Sequence, residues 1–169
     1  MIRFQTICQE AQKMLQSGTG KRKILIYVAK EADHIFGSQS AVSILLLDEK
    51  GLLRNAISPK LPEDYIKAID GIKPDPGLGT CAAAAATGNV VITTNFNADN
   101  KWAELKHLPI SIGFAGAWSM PIKTDNGKVL GTFGTYYRQI KTPSEVELNG
   151  VRLLAQTISE VITSDNPTN

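Results

Sequence analysis

Four side chains offer chemistry in this sequence: the thiols of Cys8 and Cys81 and the imidazoles of His34 and His107. They lie far apart along the chain, and no Cys-x-x-Cys or His-x-x-x-His spacing occurs that would hold a metal ion. No glycine-rich loop ends in the Gly-Lys-Ser or Gly-Lys-Thr of a phosphate site. The sequence therefore predicts no catalytic residues, no metal ligands and no enzymatic activity.

Cys81 has the most chemical promise, because it precedes a run of five alanines that favours a helix. Exposed N–H groups in the first turn of a helix lower the pKa of a thiol. A thiolate there could sense oxidants or hold a bilin covalently. The alternative is a small buried residue in a helix of small residues, and the sequence favours that alternative.

Length and composition describe an ordinary globular chain of about one domain. It has 169 residues, of which 43% are hydrophobic and 20% charged. The net charge of +2 and the short cluster Lys21-Arg22-Lys23 do not predict a nucleic-acid partner. No apolar run is long enough to span a membrane, and the first residues lack the pattern of a signal peptide. We therefore expect a cytoplasmic protein.

Hydrophobic periodicity divides the chain into alternating helical and extended segments. Spacings of three and four residues predict helices, and short runs rich in Val, Ile and aromatic residues predict strands. The predicted segments are helices over 2–16, 21–36, 61–69, 80–88, near 101–106 and from about 142 to 162, and strands over 41–47, 52–57, 90–94, 115–123 and 129–138.

Local signals predict where several of these elements end. Asn126-Gly127 between two apolar runs predicts a tight hairpin turn. Thr80 is expected to cap the alanine helix, and Thr142-Pro143-Ser144-Glu145 matches a capping box with Thr142 as the cap. The polar tail 164–169 is expected to fray.

Two hairpins with helices before, between and after them predict an α+β domain with about five to six mostly antiparallel strands. We expect one domain over residues 1–169, with a core of about 21–163. Residues 1–20 form an N-terminal helix and linker outside that core.

The second hairpin resembles the last two strands of a GAF domain. It reads Trp-Ser-Met-Pro-Ile at 118–122 and Val-Leu-Gly-Thr-Phe-Gly-Thr-Tyr-Tyr-Arg at 129–138. The glycine turn, short helix and strand at 77–91 and Asp-Asn-Lys-Trp at 99–102 are similar to the same family, and the likeness covers 24–162. It looks most like the subset found in bacterial sensor histidine kinases and cyclic-di-nucleotide enzymes. The resemblance implies terminal helices on one face of the sheet and a ligand-pocket crossover on the other.

In that family, ligands sit on one face of the sheet, under the crossover and the glycine-led helix. The resemblance therefore implies an apolar pocket for a small molecule, with plain core packing as the alternative. Alternation along the strand puts Trp118 and Met120 on one face, which we expect to be the pocket face. The candidate lining residues are Cys81, Ala84, Phe96, Trp102, Phe114, Trp118, Met120, Thr132, Gly134 and Tyr136.

Three other activities known in the family match this sequence poorly. Haem-binding members supply a histidine from the crossover, where His107 lies, but the distance from His107 to Pro121 differs from theirs. Residues 95–100 lack the lysine and glutamate of members that bind cyclic nucleotides. The branch that reduces free methionine sulfoxide relies on several cysteines, whereas this chain has two.

The function that the resemblance implies is a sensory module that binds a small ligand and signals through its terminal helices. The output domain would be a histidine kinase or a cyclic-di-nucleotide enzyme, in the same or another chain. We expect a homodimer, because the apolar stripe of Phe4, Ile7, Ala11 and Leu15 on the first helix needs a partner. Two alternatives stay open: a haem or redox sensor that uses His107 or Cys81, and a ligand-free dimerisation module.

Overall fold

One antiparallel sheet of five strands organises the protein in the computed structural model, which describes residues 1–169. The strand order is β2-β1-β5-β4-β3, so the two hairpins meet where β1 pairs with β5. Helices cover both faces of the sheet, which confirms the predicted α+β class. The strands are β1 Ser40–Leu47, β2 Leu53–Ile57, β3 Val91–Thr93, β4 Gly116–Lys123 and β5 Val129–Tyr137.

The helices form two different layers. The long helices α1, α2 and α6 share a core with one face of the sheet, and the shorter α3, α4 and α5 cover the other face. No helix is both long enough and apolar enough to cross a membrane. The helices are α1 Ile2–Gln16, α2 Lys21–Phe36, α3 Glu63–Ile69, α4 Cys81–Thr87, α5 His107–Ser111 and α6 Glu145–Thr163.

The β4–β5 hairpin forms as predicted. It turns at Gly127, whose φ of +85° is the conformation that glycine tolerates best. The Thr124 N–H donates to the Lys128 carbonyl at 2.9 Å. The strand β3 pairs with β4 only as far as Ser119, so β4 is an edge strand at Pro121, where a missing N–H costs no ladder bond.

The expectation that Trp118 and Met120 face the pocket is wrong. Both point into the layer of long helices, where the Trp118 ring meets the Phe36 ring at a centroid distance of 6.4 Å. The physical reason lies on the other face. There the alanine helix α4 packs directly on β4 and β5, which leaves room only for small residues such as Ser119 and Gly134.

The apolar stripe of α1 is covered within the chain. Phe4, Ile7 and Ala11 are buried in the core that α1 shares with α2 and α6. A Cβ added to Gly150 of α6 would lie 2.3 Å from the Phe4 ring, so glycine lets the two helices touch. The argument that this stripe needs a second copy of the chain is therefore wrong, and the homodimer stays a prediction without that support.

The capping box of α6 lies two residues later than predicted. Ser144 is the cap: its hydroxyl accepts from the Glu147 N–H at 3.2 Å, and Glu147 accepts from the Ser144 N–H at 2.7 Å. Lys141 holds the same carboxylate at 2.6 Å. Pro143 is buried and precedes the helix instead of opening it.

Two predictions on the pocket side of the sheet also differ. Thr80 stands at the cap position of α4, but its hydroxyl makes no capping bond and instead accepts from Ser119 Oγ at 2.9 Å. The helix expected near 101–106 is replaced by two 3₁₀ turns, Phe96–Ala98 and Asn100–Trp102, followed by α5. Each of these short turns begins with a local hydrogen bond. The side chains of Asn95 and Asp99 accept from the backbone N–H groups of Asn97 and Lys101.

The C-terminal tail is held in place, contrary to the expected fraying. Carbonyl oxygens of Pro167 and Thr168 accept from the N–H groups of Lys21 and Arg22 at 2.7 and 3.0 Å. These N–H groups open α2 and have no acceptor within the helix. Since no side chain caps α2, the tail caps it.

Candidate functional site

A small cavity lies between the sheet and the layer formed by α3, α4 and the crossover. Its volume is about 30 Å³, which is room for about two water molecules. None of the lining residues carries a formal charge. The lining is Leu45, Leu53, Tyr65, Ile69, Ile72, Leu78, Gly79, Thr80, Cys81, Ala82, Trp102, Leu105 and Tyr136.

Five predicted site residues lie at the cavity or directly behind it. Cys81, Trp102 and Tyr136 line it. Phe96 packs on Trp102 with ring centroids 4.4 Å apart, and Phe114 packs on Tyr136 at 5.4 Å. Of the crossover residues, Trp102 therefore lines the cavity and Phe96 lies behind it, and their role in ligand binding stays a prediction.

The other five predicted residues do not line the cavity. Thr132 and Gly134 lie on the same face of the sheet, in the neighbourhood of Cys81. Ala84 is fully buried within α4. Trp118 and Met120 are on the opposite face, among the long helices.

Sequence reasoning missed most of the remaining wall. Tyr65 and Ile69 of α3 carried a usable signal, because they recur four residues apart on one side of a predicted helix. Leu45 lies two residues after Ser43 on β1, so both side chains point to the same face of the sheet, which is the pocket face. Leu78 and Leu105 lie in irregular segments, where no periodic pattern could have identified them.

Hydroxyl groups surround the Cys81 sulfur. Cys81 Sγ lies 3.0 Å from Ser119 Oγ, which in turn donates to Thr80 Oγ1 at 2.9 Å. Ser43 and Thr132 are fully buried nearby, and neither hydroxyl makes a hydrogen bond of normal geometry. The cluster therefore has more polar groups than hydrogen bonds.

Gly134 makes space for this cluster at the centre of the sheet. A Cβ added there would lie 2.7 Å from Ser43 Oγ and 3.1 Å from Cys81 Sγ. Both separations are shorter than normal contacts of a Cβ. Glycine at 134 is therefore what allows the sulfur to rest on the sheet.

The Cys81 thiol is not activated. Although the residue is only half-buried, burial around the sulfur raises its pKa above the ordinary value. The neighbouring hydroxyls of Ser119, Thr132, Thr80 and Ser43 favour the thiolate but offset only part of that effect. The expectation of a lowered pKa at the start of the helix is therefore wrong, and the redox hypothesis loses its basis.

Two tyrosines join α3 to β5 across the cavity. The Tyr65 hydroxyl donates to the Tyr136 hydroxyl at 2.8 Å, and the rings meet edge-on with centroids 5.7 Å apart. Burial raises the pKa of both hydroxyls above the usual value for tyrosine, so both stay protonated. This hydrogen bond ties the helix to the sheet.

Trp102 fixes the crossover over the cavity. Its ring packs against Phe96 on one side and approaches Gly79, where an added Cβ would lie 3.6 Å from the indole. The Gly79 N–H also donates to the Lys101 carbonyl at 2.7 Å. The indole N–H has no acceptor, although Trp102 is only 4% exposed.

The remaining chemically capable residues lie away from the cavity. His107 is exposed at the start of α5 and does not line the cavity, so nothing in the site supports it as a haem ligand. His34 is exposed on α2, 3.5 Å from Glu31. Cys8 belongs to the layer of long helices, across the sheet from Cys81. No three His, Cys, Asp or Glu side chains are grouped to hold a metal ion.

These features define an α+β domain whose central sheet separates a layer of long helices from a layer that encloses a small apolar cavity. The chain belongs to the GAF domain family: the family model matches residues 18–163. That match covers the whole region, 24–162, in which the sequence resembles a GAF domain, and confirms the resemblance.

One curated relative is the methyl sulfide methyltransferase-associated sensor of Methanosarcina acetivorans. It is 31% identical to this chain over 138 residues, which are 82% of this chain and 14% of that protein. The chain thus spans about a seventh of the length of the relative that it matches. The name of that protein identifies it as a sensor.

Two solved structures illustrate the range of proteins that share the fold. One is a domain of a candidate two-component sensor histidine kinase from Sinorhizobium meliloti 1021, with a TM-score of 0.65, 24% identity and coverage of 79% of this chain and 84% of that one. The other is a free methionine-R-sulfoxide reductase from Neisseria meningitidis, with a TM-score of 0.72, 18% identity and coverage of 94% and 87%. At these identities the likeness shows the fold alone.

Proposed function

We propose that this chain is a sensory module that binds a small ligand in the cavity and transmits its occupancy to the terminal helices. The observation that carries the proposal is the cavity beneath the crossover, which 13 residues, 11 of them hydrophobic, line. Apolar walls with a few polar groups are typical of small-molecule sites. A 31% identical relative named as a sensor supports the same role.

The cavity is small for a ligand site. Ligand sites in proteins usually measure about 300–1,000 Å³, whereas this cavity measures about 30 Å³. A ligand therefore has to move part of the wall. Since α4 packs directly on β4 and β5, while α3 packs mainly on α5, the wall formed by Tyr65 and Ile69 of α3 is the part that we expect to move.

The strand β5 offers a short route from the cavity to α6. Tyr136 lines the cavity, and the next residue, Tyr137, points to the opposite face, where it accepts from Trp118 Nε1 at 3.0 Å. Lys141 Nζ lies 4.5 Å from the centre of the Tyr137 ring and pairs with Glu147 in the first turn of α6 at 2.6 Å. A ligand that displaces Tyr136 would therefore disturb the cap of α6.

The proposal assigns the chain no catalytic activity of its own. Its two thiols, Cys8 and Cys81, lie on opposite faces of the sheet and cannot act as a dithiol pair. The cavity also contains no charged side chain that could serve as an acid or base at neutral pH. Output would come from another domain, in the same or another chain, such as a histidine kinase or a cyclic-di-nucleotide enzyme.

The proposal includes a homodimer formed through α1 and α6. These helices run side by side in the same direction, since Phe4 meets Gly150 and Gln12 donates to Glu160 at 3.2 Å. Near their starts, Ile2 and Val146 are 79% and 51% exposed. Sedimentation at tens of micromolar tests this part, and a monomer there would contradict it.

A thermal-shift screen of metabolites tests ligand binding. A ligand at about 100 times its dissociation constant stabilises the fold by about 2.7 kcal/mol, which raises the melting temperature by several degrees. Ala82→Val places two methyl groups at the cavity wall and should abolish the shift. Ala86→Val is the matched control, because it makes the same change at an exposed position of the same helix.

Two outcomes would contradict the proposal. One is a screen without any hit. The other is a hit that Ala82→Val and Ala86→Val affect equally, since such a ligand would bind elsewhere on the protein. The ligand-free dimerisation module would then be the better interpretation.

A further inference from the structure

Trp102 lines the cavity, and its indole N–H is an unused hydrogen-bond donor. Trp102 is 96% buried, lines the cavity and donates to no atom of the protein. Buried polar groups in folded proteins nearly always have a partner, so this exception asks for an explanation. An acceptor supplied by a bound molecule would satisfy it.

The packing around Trp102 prevents the ring from turning to find an acceptor in the protein. Phe96 lies against the indole at a centroid distance of 4.4 Å, and the backbone of Gly79 approaches it from another side. The hydrogen bond from Gly79 N–H to the Lys101 carbonyl, at 2.7 Å, locks the two segments together. The direction of the N–H is therefore set before any ligand binds.

The tyrosine pair at the cavity offers a second free hydrogen. Tyr65 and Tyr136 share one hydrogen bond between two hydroxyls, so one hydroxyl hydrogen of the pair remains free. The cavity thus presents spare donors, apolar walls and no charge.

We propose that the ligand is an uncharged, mostly apolar molecule with one hydrogen-bond acceptor, such as a carbonyl or ether oxygen, that accepts from Trp102 Nε1–H. This inference rests on the proposed function, because it names the ligand class of the same cavity. A carboxylate or phosphate would enter a buried site without a cation to pair with it, at a large desolvation cost. Trp102 is then the residue that distinguishes an acceptor-bearing ligand from a hydrocarbon of the same shape.

The test compares three probes of similar shape: cyclohexanone, methylenecyclohexane and cyclohexanecarboxylate. Dissociation constants are measured by NMR titration of the ¹⁵N-labelled protein, whose two tryptophans give two indole N–H signals. Trp118→Phe assigns the remaining signal to Trp102. We expect cyclohexanone to move the Trp102 signal downfield, methylenecyclohexane to leave it nearly unmoved, and cyclohexanecarboxylate not to bind.

The variant Trp102→Phe keeps an aromatic ring and removes the N–H. It should lower the preference for cyclohexanone over methylenecyclohexane about five- to tenfold, the usual value of one hydrogen bond. Trp118→Phe is the matched control, since its N–H is bonded to Tyr137 on the opposite face, and it should leave the preference unchanged. The shift of the Trp102 signal in the unaltered protein tests the same contact if Trp102→Phe fails to fold.

Several results would overturn the inference. If the unaltered protein and Trp102→Phe prefer cyclohexanone over methylenecyclohexane equally, the indole N–H does not contribute to ligand recognition. Tight binding of cyclohexanecarboxylate, or a charged hit in the metabolite screen that Ala82→Val abolishes, would refute the neutral ligand while leaving the proposed function intact. If none of the probes binds and the metabolite screen gives no hit, both the inferred ligand class and the proposed function are refuted.

Discussion

Replacing Gly134 with alanine tests whether the cluster around Cys81 is as tightly packed as the structure shows. The new methyl carbon would lie 2.7 Å from Ser43 Oγ and 3.1 Å from Cys81 Sγ. Ser43 is on β1, which pairs with β5, and Cys81 is on α4, which packs on β5. Both side chains are short, so neither can move far from Gly134. The substitution therefore adds volume where no space exists.

The magnitude follows from two opposing effects. Overpacking of a well-packed core destabilises a protein by about 1–3 kcal/mol. Replacing glycine with alanine also lowers the conformational entropy of the unfolded chain, which stabilises the folded state by about 0.4–1 kcal/mol. We expect Gly134→Ala to lower the free energy of unfolding by about 1–2 kcal/mol and the melting temperature by about 2–8 °C. Urea unfolding followed by circular dichroism measures the first value, and calorimetry measures the second.

A second substitution shows whether the predicted clash is the cause. Ser43→Ala removes the nearer atom, and because Ser43 Oγ has no hydrogen-bond partner, this change alone should cost little. In the double variant the methyl group gains that space, so at least half of the lost stability should return. Gly134→Ala as stable as the unaltered protein, or no recovery in the double variant, would refute the packing described here.

Three further predictions follow from individual residues. In a Cys8→Ser variant, Cys81 should react with iodoacetamide at pH 7 more slowly than an unperturbed thiol, because burial raises the pKa of Cys81. Mass spectrometry follows the labelling, and rapid labelling would contradict this prediction. Ile7→Glu places a carboxylate in the core between α1 and α6, so the free energy of unfolding measured in urea should fall by about 3 kcal/mol or more. A variant that keeps its stability but no longer forms a dimer would contradict the packing of Ile7 within the chain. Partial burial would raise the pKa of Glu147, but hydrogen bonds from Lys141 and Ser144 outweigh it and lower the pKa. Its stabilisation is present above the unfolded pKa of ~4.3 and is lost as pH falls through the lower folded value, so Glu147→Gln should cost stability at pH 7 and almost none at pH 2.

The sequence predicted an element correctly where one short motif allowed a single structure. It failed where two motifs could serve the same purpose. Gly127 of the Asn126-Gly127 pair specified the hairpin turn, because residues other than glycine rarely adopt its φ of +85°. At the start of α6 the sequence offers two caps, Thr142 with Glu145 and Ser144 with Glu147. The structure uses the second, in which Lys141 also pairs with Glu147 and Pro143 is buried ahead of the helix. Only contacts between segments could have decided the choice.

The orientation of β4 shows a different limit. Alternation established that Trp118 and Ser119 point to opposite faces, but it cannot say which face belongs to the pocket. The run of alanines in α4 held the missing information, because a helix of small side chains can approach a sheet closely only over small residues. Ser119 and Gly134 meet that requirement and Trp118 does not. Combining the composition of two distant segments would have placed Trp118 among the long helices.

A small cavity with a movable wall fits the proposed sensory role. A ligand with equal affinity for two conformations of a protein shifts no equilibrium, however tightly it binds. Under the proposed function, a cavity of about 30 Å³ has to enlarge to admit a ligand of ordinary size, so the ligand would favour the enlarged conformation. Opening requires the α3 wall to separate from β5, and the hydrogen bond between Tyr65 and Tyr136 is the link that opposes it. Tyr137 follows Tyr136 on the same strand and accepts a hydrogen bond from Trp118 on the other face. In the proposed function, a movement of Tyr136 on ligand entry would therefore reach the layer of long helices through Tyr137.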